Sequence, residues 1–227
     1  LEALGIANNT LILFLGDNGS DAPLGHQNEA ASSAPLRGKK GCHYEGGMRT
    51  PFIAAWAKPD PANAHQKSLA IPSGCIQTQV ANITDLFPTL AAITKSSLPA
   101  DHPIDGKSLQ SLLTGKPDPS RAERFLMHYP HEQHRSNYFT VWRDGDWKVI
   151  YHYLPQARTH GDFFQSAGAC YQLFNLKADP FEQNDLAATE PVHLRRMMEG
   201  LIAQTEASQA RYPVAHDGKT RLKPRLP

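Results

Sequence analysis

The sequence predicts an α/β portion followed by a small α+β portion of antiparallel strands and one long helix, with the border between residues 116 and 117. Three observations carry this expectation. Residues 10–15 (TLILFL) and 51–57 (PFIAAWA) are short, nearly continuous apolar runs, the pattern of strands covered on both faces. Beyond Pro117, short aromatic segments of high β propensity follow one another at turn spacing. Near the C-terminus, Leu194, Met197, Met198, Leu201 and Ile202 recur at the helical period.

Taken in order, the first run ends abruptly at Gly16-Asp17-Asn18-Gly19. A polar loop rich in Ser, Ala and Gly then extends to about Gly47, too long for a mere connection and so expected to carry function. After the second run, Thr84 and Asp85 make a helix start, with Pro88 tolerated in the first turn. Phe87, Leu90, Ala91 and Ile93 would line one face of that helix. A short helix over 108–113 should stop at Gly115, a C-terminal cap. Strands are expected over 123–129, 138–143, 147–153 and 171–176, with Asp144-Gly145-Asp146 as a hairpin turn. Pro191 opens the last helix, whose methionines read as core. The segment after Tyr212 is basic and proline-containing, an irregular terminus.

Composition narrows the function classes. With 40% hydrophobic and 20% charged residues in 227, the chain reads as globular and not disordered. A net charge of +1 provides no general pull on nucleic acid or membranes, and neither is expected as a partner. No run approaches the roughly 18 apolar residues of a membrane span. Cys42, Cys75 and Cys170 form no CxxC pair and no disulfide framework, so they read as buried or incidental thiols. The opening LEALGIANN resembles a helix tail leading into a strand, and a fragment of a longer protein is expected.

Two features carry chemistry. Asp17 and Asn18 follow a strand, where α/β folds place ligand-binding groups, and both offer hard oxygen donors suited to Ca²⁺ or Mg²⁺. Alone, D-N-G is also an ordinary turn sequence. The second feature is Leu36-Arg37-Gly38-Lys39-Lys40-Gly41, followed by Glu45-Gly46-Gly47-Met48-Arg49. A lysine held in a glycine-rich loop is a point charge for an anionic oxygen, although many basic loops are simply solvated.

In this order and spacing, TLILFLGDNGS and LRGKKGCHYEGGMRTPFIAAW closely resemble the later active-site segment of the type I sulfatases. The resemblance continues through Ile83-Thr84-Asp85-Leu86-Phe87-Pro88-Thr89-Leu90 and Asp105-Gly106-Lys107-Ser108-Leu109. It resumes at Gly145-Asp146-Trp147-Lys148-Val149-Ile150 and at Leu173-Phe174-Asn175-Leu176, with Asp179-Pro180 and Glu182. It implies an alkaline-phosphatase-like α/β fold, partial here, with a small C-terminal α+β subdomain. It also implies hydrolysis of a sulfate ester, with a sulfated carbohydrate as the expected partner, and a periplasmic or secreted location.

By the same resemblance, Asp17 and Asn18 match two calcium ligands, and Lys40 matches the lysine that contacts sulfate in catalysis and substrate binding. Lys39 stands where the family has glycine. The formylglycine nucleophile should lie in C/S-x-P/A-x-R, which none of the three cysteines provides. Ser33-Ala34-Pro35-Leu36-Arg37 fits formally but lies inside the lysine loop. The nucleophile and the other ligands of one Ca²⁺ are therefore expected upstream, and this chain alone is expected to be inactive. His128 and His131 in HYPH resemble a segment that borders the substrate pocket in glycan-active relatives, and imidazoles can bond sugar hydroxyls or sulfate. His26 and His43 lie in the active-site loop without an assigned role. Two alternatives stand beside this reading: a phosphoester or phosphonate hydrolase of the same superfamily, and a non-catalytic sulfated-glycan-binding relative.

Overall fold

A computed structural model describes residues 1–21, 32–131, 136–155 and 169–227. Its strands and α-helices run β1 (Leu11–Leu15), α1 (Glu45–Met48), β2 (Phe52–Trp56), α2 (Ala64–Ser68), α3 (Leu86–Thr94), α4 (Gln110–Leu113), β3 (Arg124–Tyr129), β4 (Phe139–Asp144), β5 (Trp147–His152), β6 (Tyr171–Asn175) and α5 (Pro191–Ala207). They fall into two compact units, one of residues 1–15 and 51–123, the other of residues 16–50 and 124–227. The sequence places the border at 116/117. The structure changes unit between Glu123 and Arg124 and groups the 16–50 segment with the later sheet.

In the first unit β1 and β2 pair antiparallel, with Leu11 opposite Trp56 and Leu15 opposite Phe52. Leu11, Ala54 and Trp56 pack on a cluster of Leu69, Leu109, Leu112 and Leu113. The opposite face is open: Ile12, Phe14 and Ile53 are 44%, 58% and 60% exposed. The two runs read as covered on both faces in a complete protein; within this unit the two-stranded sheet carries helices on one side, which leaves the alternate residues of the other face bare. Helix α3 departs from expectation. Its buried residues are Pro88, Thr89 and Ala91, while Phe87 and Leu90 are 52% and 46% exposed.

Two motif blocks of this unit serve each other. Asp85 is buried and accepts from the Asn82 and Lys107 amides at 2.8 and 2.7 Å. Its second oxygen also meets Arg121 Nη1 at 2.8 Å, and Arg121 Nη2 reaches the Lys107 and Ser108 carbonyls. The Thr89 hydroxyl donates to Asp85 O and accepts from Leu109 N–H. Both carboxylate oxygens of the buried Asp85 are thus hydrogen-bonded, which offsets the cost of burying its charge. Gly115, at φ 78° just past α4, is the expected cap.

The second unit is a four-stranded antiparallel sheet in the order β3-β4-β5-β6, with Gly145 at φ 60° turning the central hairpin. Period-two alternation divides its side chains between two faces. On one face Trp142, Val149 and Leu173, paired across the strands, form a core with Leu194, Met197, Met198 and Leu201 of α5. On the other, Phe139, Val141, Ile150 and Phe174 pack with Cys42 and Tyr44 from the lysine-bearing segment. The sheet therefore lies between the long helix and the glycine-rich loop. The C-terminal segment is held by tyrosines, with Tyr171 Oη donating to the Arg225 and Leu226 carbonyls.

The helix stripe behaves as its period requires: Met198 and Leu201 are fully buried. Leu201→Ala should cost about 2–5 kcal/mol of unfolding free energy, as a buried leucine truncation does, whereas Phe87→Ser should stay within about 0.5 kcal/mol. Denaturant unfolding of the two variants checks this difference.

Candidate functional site

Backbone-to-backbone contact builds the site. Gly19 N–H donates to Gly47 O at 3.0 Å, and Lys40 N–H donates to Ser20 O at 2.9 Å. Ser33 Oγ accepts from Ser20 N–H at 3.1 Å and donates to Gly46 O at 2.7 Å. The D-N-G-S turn, the lysine loop and the E-G-G segment are thereby stitched into one body. Glycine is required because a Cβ on Gly19 would overlap the Gly46 carbonyl, and one on Gly46 would lie 2.5 Å from the Arg37 carbonyl. The spacing of D-N-G and E-G-G is the record of that close approach.

The stitch brings Asp17, Asn18 and Lys40 into one neighbourhood. Asp17 is exposed and Asn18 half-buried, and the Asn18 amide donates to Asp17 Oδ1. Two hard oxygen donors side by side fit a calcium shell, but Ca²⁺ takes about six to eight oxygens. Among the described residues no group of three or more His, Cys, Asp or Glu could hold a metal. Asp17 and Asn18 therefore fit as part of a larger ligand set. Lys40 is half-buried, and among the described residues no side chain pairs with its ammonium. The backbone amide of its neighbour Lys39 donates to Cys42 Sγ at 3.3 Å.

The histidines of HYPH are separated. His128 pairs in register with Thr140, and Thr140 with Tyr151, on the helix-facing side of the sheet. Its Nδ1 meets Thr140 Oγ1 and its Nε2 meets Arg211 O, each at 2.7 Å. The ring is thus fully engaged in tying β3 to the C-terminal segment, on the face away from the lysine loop. His131 is exposed and stands edge-on to Tyr129, which stacks on Phe139 of the loop-side core. His26 lies outside the described residues.

Sequence reasoning gave no role to the charges beneath the loop. Lys148 on β5 is fully buried, with Nζ 2.9 Å from Glu45 Oε1 and 2.7 Å from Glu182 Oε1. The second contact lacks hydrogen-bond alignment and is coulombic. Glu182 Oε2 accepts from Glu45 N–H at 2.6 Å, and Glu182 O accepts from Arg37 Nη1 at 2.8 Å. Arg37 also lies 3.8 Å from the centre of the Tyr44 ring. Burial opposes the charge on Glu45, yet Lys148, with Arg143 and Arg49 behind it, holds its carboxyl below the usual range. For Glu182 burial prevails and pushes the carboxyl up despite Lys148. The signal available in sequence was a lysine, Lys148, at an inward position of an otherwise apolar strand.

His43 lies in the same layer, buried, with neither ring nitrogen hydrogen-bonded among the described residues and His152 4.7 Å away ring to ring. Burial first, then the neighbouring charges, holds its pKa well below 6.5, and burial also lowers that of His152. In the unfolded chain both take a proton near pH 6.5, whereas in the fold they resist it. Their contribution is therefore intact above pH 6.5 and lost as the pH falls toward the folded values. Unfolding free energy should drop below pH 6.5 by up to about 1.4 kcal/mol per pH unit for each such group. His43→Phe should flatten that slope, as denaturant titrations between pH 7.5 and 5.5 would show.

Comparison with known proteins places this arrangement. Residues 1–96 match the family model described as Sulfatase. The chain is 31% identical to the steryl-sulfatase of Mus musculus, across 96% of this chain and 35% of that protein. It is 30% identical to the N-acetylgalactosamine-6-O-sulfatase of Bacteroides thetaiotaomicron, across 88% of this chain and 37% of that one. A structure solved in work on glycosaminoglycan metabolism by Bacteroides thetaiotaomicron superimposes with a TM-score of 0.65 at 26% identity, covering 91% of this chain and 41% of that one. The chain thus spans little more than a third of the curated relatives it matches. The motifs, the fold around them and these likenesses agree, and the chain belongs to the sulfatase family.

Proposed function

We propose that this chain supplies the later part of the active site of a sulfuric ester hydrolase acting on a sulfated carbohydrate. The observation that carries the reading is the backbone stitch between the D-N-G-S turn and the lysine loop, which brings the segment bearing Lys40 against the turn that bears Asp17 and Asn18. Such a pairing suits an anion whose oxygens need neutralising from two sides. By family resemblance the site works with Ca²⁺ and a formylglycine, the metal neutralising charge on sulfate oxygens and the hydrated aldehyde supplying the nucleophile.

In this scheme Asp17 and Asn18 hold part of the metal shell, and the Lys40 ammonium donates to a sulfate oxygen. The half-buried setting of Lys40 raises the worth of that charge over one in open water. His131, exposed beside Tyr129, would donate to a sugar hydroxyl. His128, with both nitrogens engaged, would have to release Arg211 O to reach a substrate, so its share is to position the C-terminal segment. The carbohydrate class rests on the glycan-active resemblance and on the amino-sugar sulfatase among the relatives; the name steryl-sulfatase marks the sterol ester as the competing substrate class. No described helix is long and apolar enough to cross a membrane, and the resemblance favours a periplasmic or secreted enzyme.

In the complete protein, Lys40→Ala should lower kcat/KM for an aryl sulfate by at least about 10²-fold, the scale for one preorganised charge-stabilising donor. Lys39→Ala should cost far less, and the reverse ranking would contradict the assignment. Asp17→Ala should remove activity and calcium together; full calcium occupancy by elemental analysis would sink the metal role. His131→Ala should harm turnover of a sulfated oligosaccharide more than that of an aryl sulfate, and equal losses would place the imidazole at the sulfate itself.

A further inference from the structure

The lysine loop is tied down twice, by Arg37 before Lys40 and by Glu45 after it, and both ties end on one residue. Glu182 accepts from Arg37 Nη1 through its carbonyl and from the Glu45 amide through its carboxylate. Its other carboxylate oxygen faces Lys148, which in turn holds the Glu45 side chain. Lys148 and Glu182 are both completely buried, and Glu182 adopts φ 55°, a left-handed conformation that a glutamate enters only when its surroundings require it.

We propose that Lys148 and Glu182 are positioning residues: through Glu45 and Arg37 they hold the loop in the one register that presents Lys40 to the reacting group. The proposal rests on the function proposed above, but the fastening itself can be read without it. Burying one ammonium against two carboxylates is a poor source of stability, since replacing a buried ion set with neutral groups of similar volume is commonly neutral or favourable. It is a good source of register, because charged partners at fixed distances tolerate few alternative alignments. The loop is made largely of glycine and charged residues, and among the described residues its apolar anchors, Cys42, Tyr44 and Met48, all follow Lys40, so apolar packing alone leaves the lysine end weakly specified.

The experiment uses the complete protein and two variants. Glu182→Gln removes one charge. The triple replacement Glu45→Gln, Lys148→Met, Glu182→Gln removes the ion set and strands no charge. Native-state trypsin cleavage after Arg37, Lys39 and Lys40 reports loop opening, because cleavage tracks the open population when closing is fast. Global unfolding and aryl sulfate kinetics are measured alongside. The triple variant should unfold near the parent midpoint, be cut in the loop at least about tenfold faster, and lose about tenfold or more in kcat with a smaller change in KM, as misplacement of a catalytic group does. Unchanged loop cleavage would overturn the proposal. So would a rise in cleavage matched by an equal loss of global stability, which would mark the cluster as structural only. If the parent protein turns over neither an aryl sulfate nor a sulfated oligosaccharide, the proposed function fails, and loop cleavage alone then decides whether the cluster holds the loop.

Discussion

Glu182 is the point on which the site's geometry turns. Its carbonyl, one carboxylate oxygen and the other each meet a different partner: the Arg37 guanidinium, the Glu45 amide and the Lys148 ammonium. Three segments far apart in sequence converge there: the lysine loop, a central strand of the sheet, and the turn after β6. The part of the segment that follows Lys40 forms a layer of the second unit, its Cys42 and Tyr44 filling the face opposite α5.

The price is a buried layer rich in polar groups. Glu45 and Glu182 sit on one cation and are pushed in opposite directions by its field and by burial. His43 is buried without a hydrogen bond, and His152 is bonded to Gln172 at 2.9 Å, the same oxygen that accepts from Tyr44 Oη at 3.0 Å. Desolvated polar groups of this kind are expensive. Their concentration beneath the loop, while the helix face of the same sheet is filled by Met197, Met198, Leu201 and their neighbours, separates the two jobs of the sheet: one face holds the unit together, the other specifies where a charged loop rests.

Much of this was legible in sequence, for physical reasons. Aromatic, β-prone residues and turn residues mark the four later strands, and a clean stripe marks α5, so the strand bounds differ from expectation by about a residue. Gly19, Gly46 and Gly47 stand out because backbone meets backbone there and only glycine leaves room. Residues 83–90 and 105–109 read as motifs, and the structure gives them a mutual role around Asp85 and Arg121. What was not legible depends on contacts distant in sequence. The inward position of Lys148 on its strand is visible in sequence, but nothing local announces that it meets Glu45 and Glu182, or that Glu182 meets Arg37 across 145 positions. Adjacency in sequence is not adjacency in space for His128 and His131: strand alternation turns one toward the helix side, and the other stands beside Tyr129. The apolar runs of β1 and β2 suggested two covered faces, and hydrophobicity alone carries no information on what covers them.

The account's central claim is that the stitched turn and the fastened loop present Asp17, Asn18 and Lys40 to one anion. A crystal structure of the complete protein with calcium and a slowly hydrolysed sulfate ester tests it most directly. The account predicts oxygens of Asp17 and Asn18 at about 2.3–2.6 Å from the ion. It also predicts Lys40 Nζ within about 3.2 Å of a sulfate oxygen, with the Glu182 contacts to Arg37, Glu45 and Lys148 intact. An ion held by other residues, or a sulfate whose oxygens are met by Lys39 while Lys40 points to solvent, would contradict it.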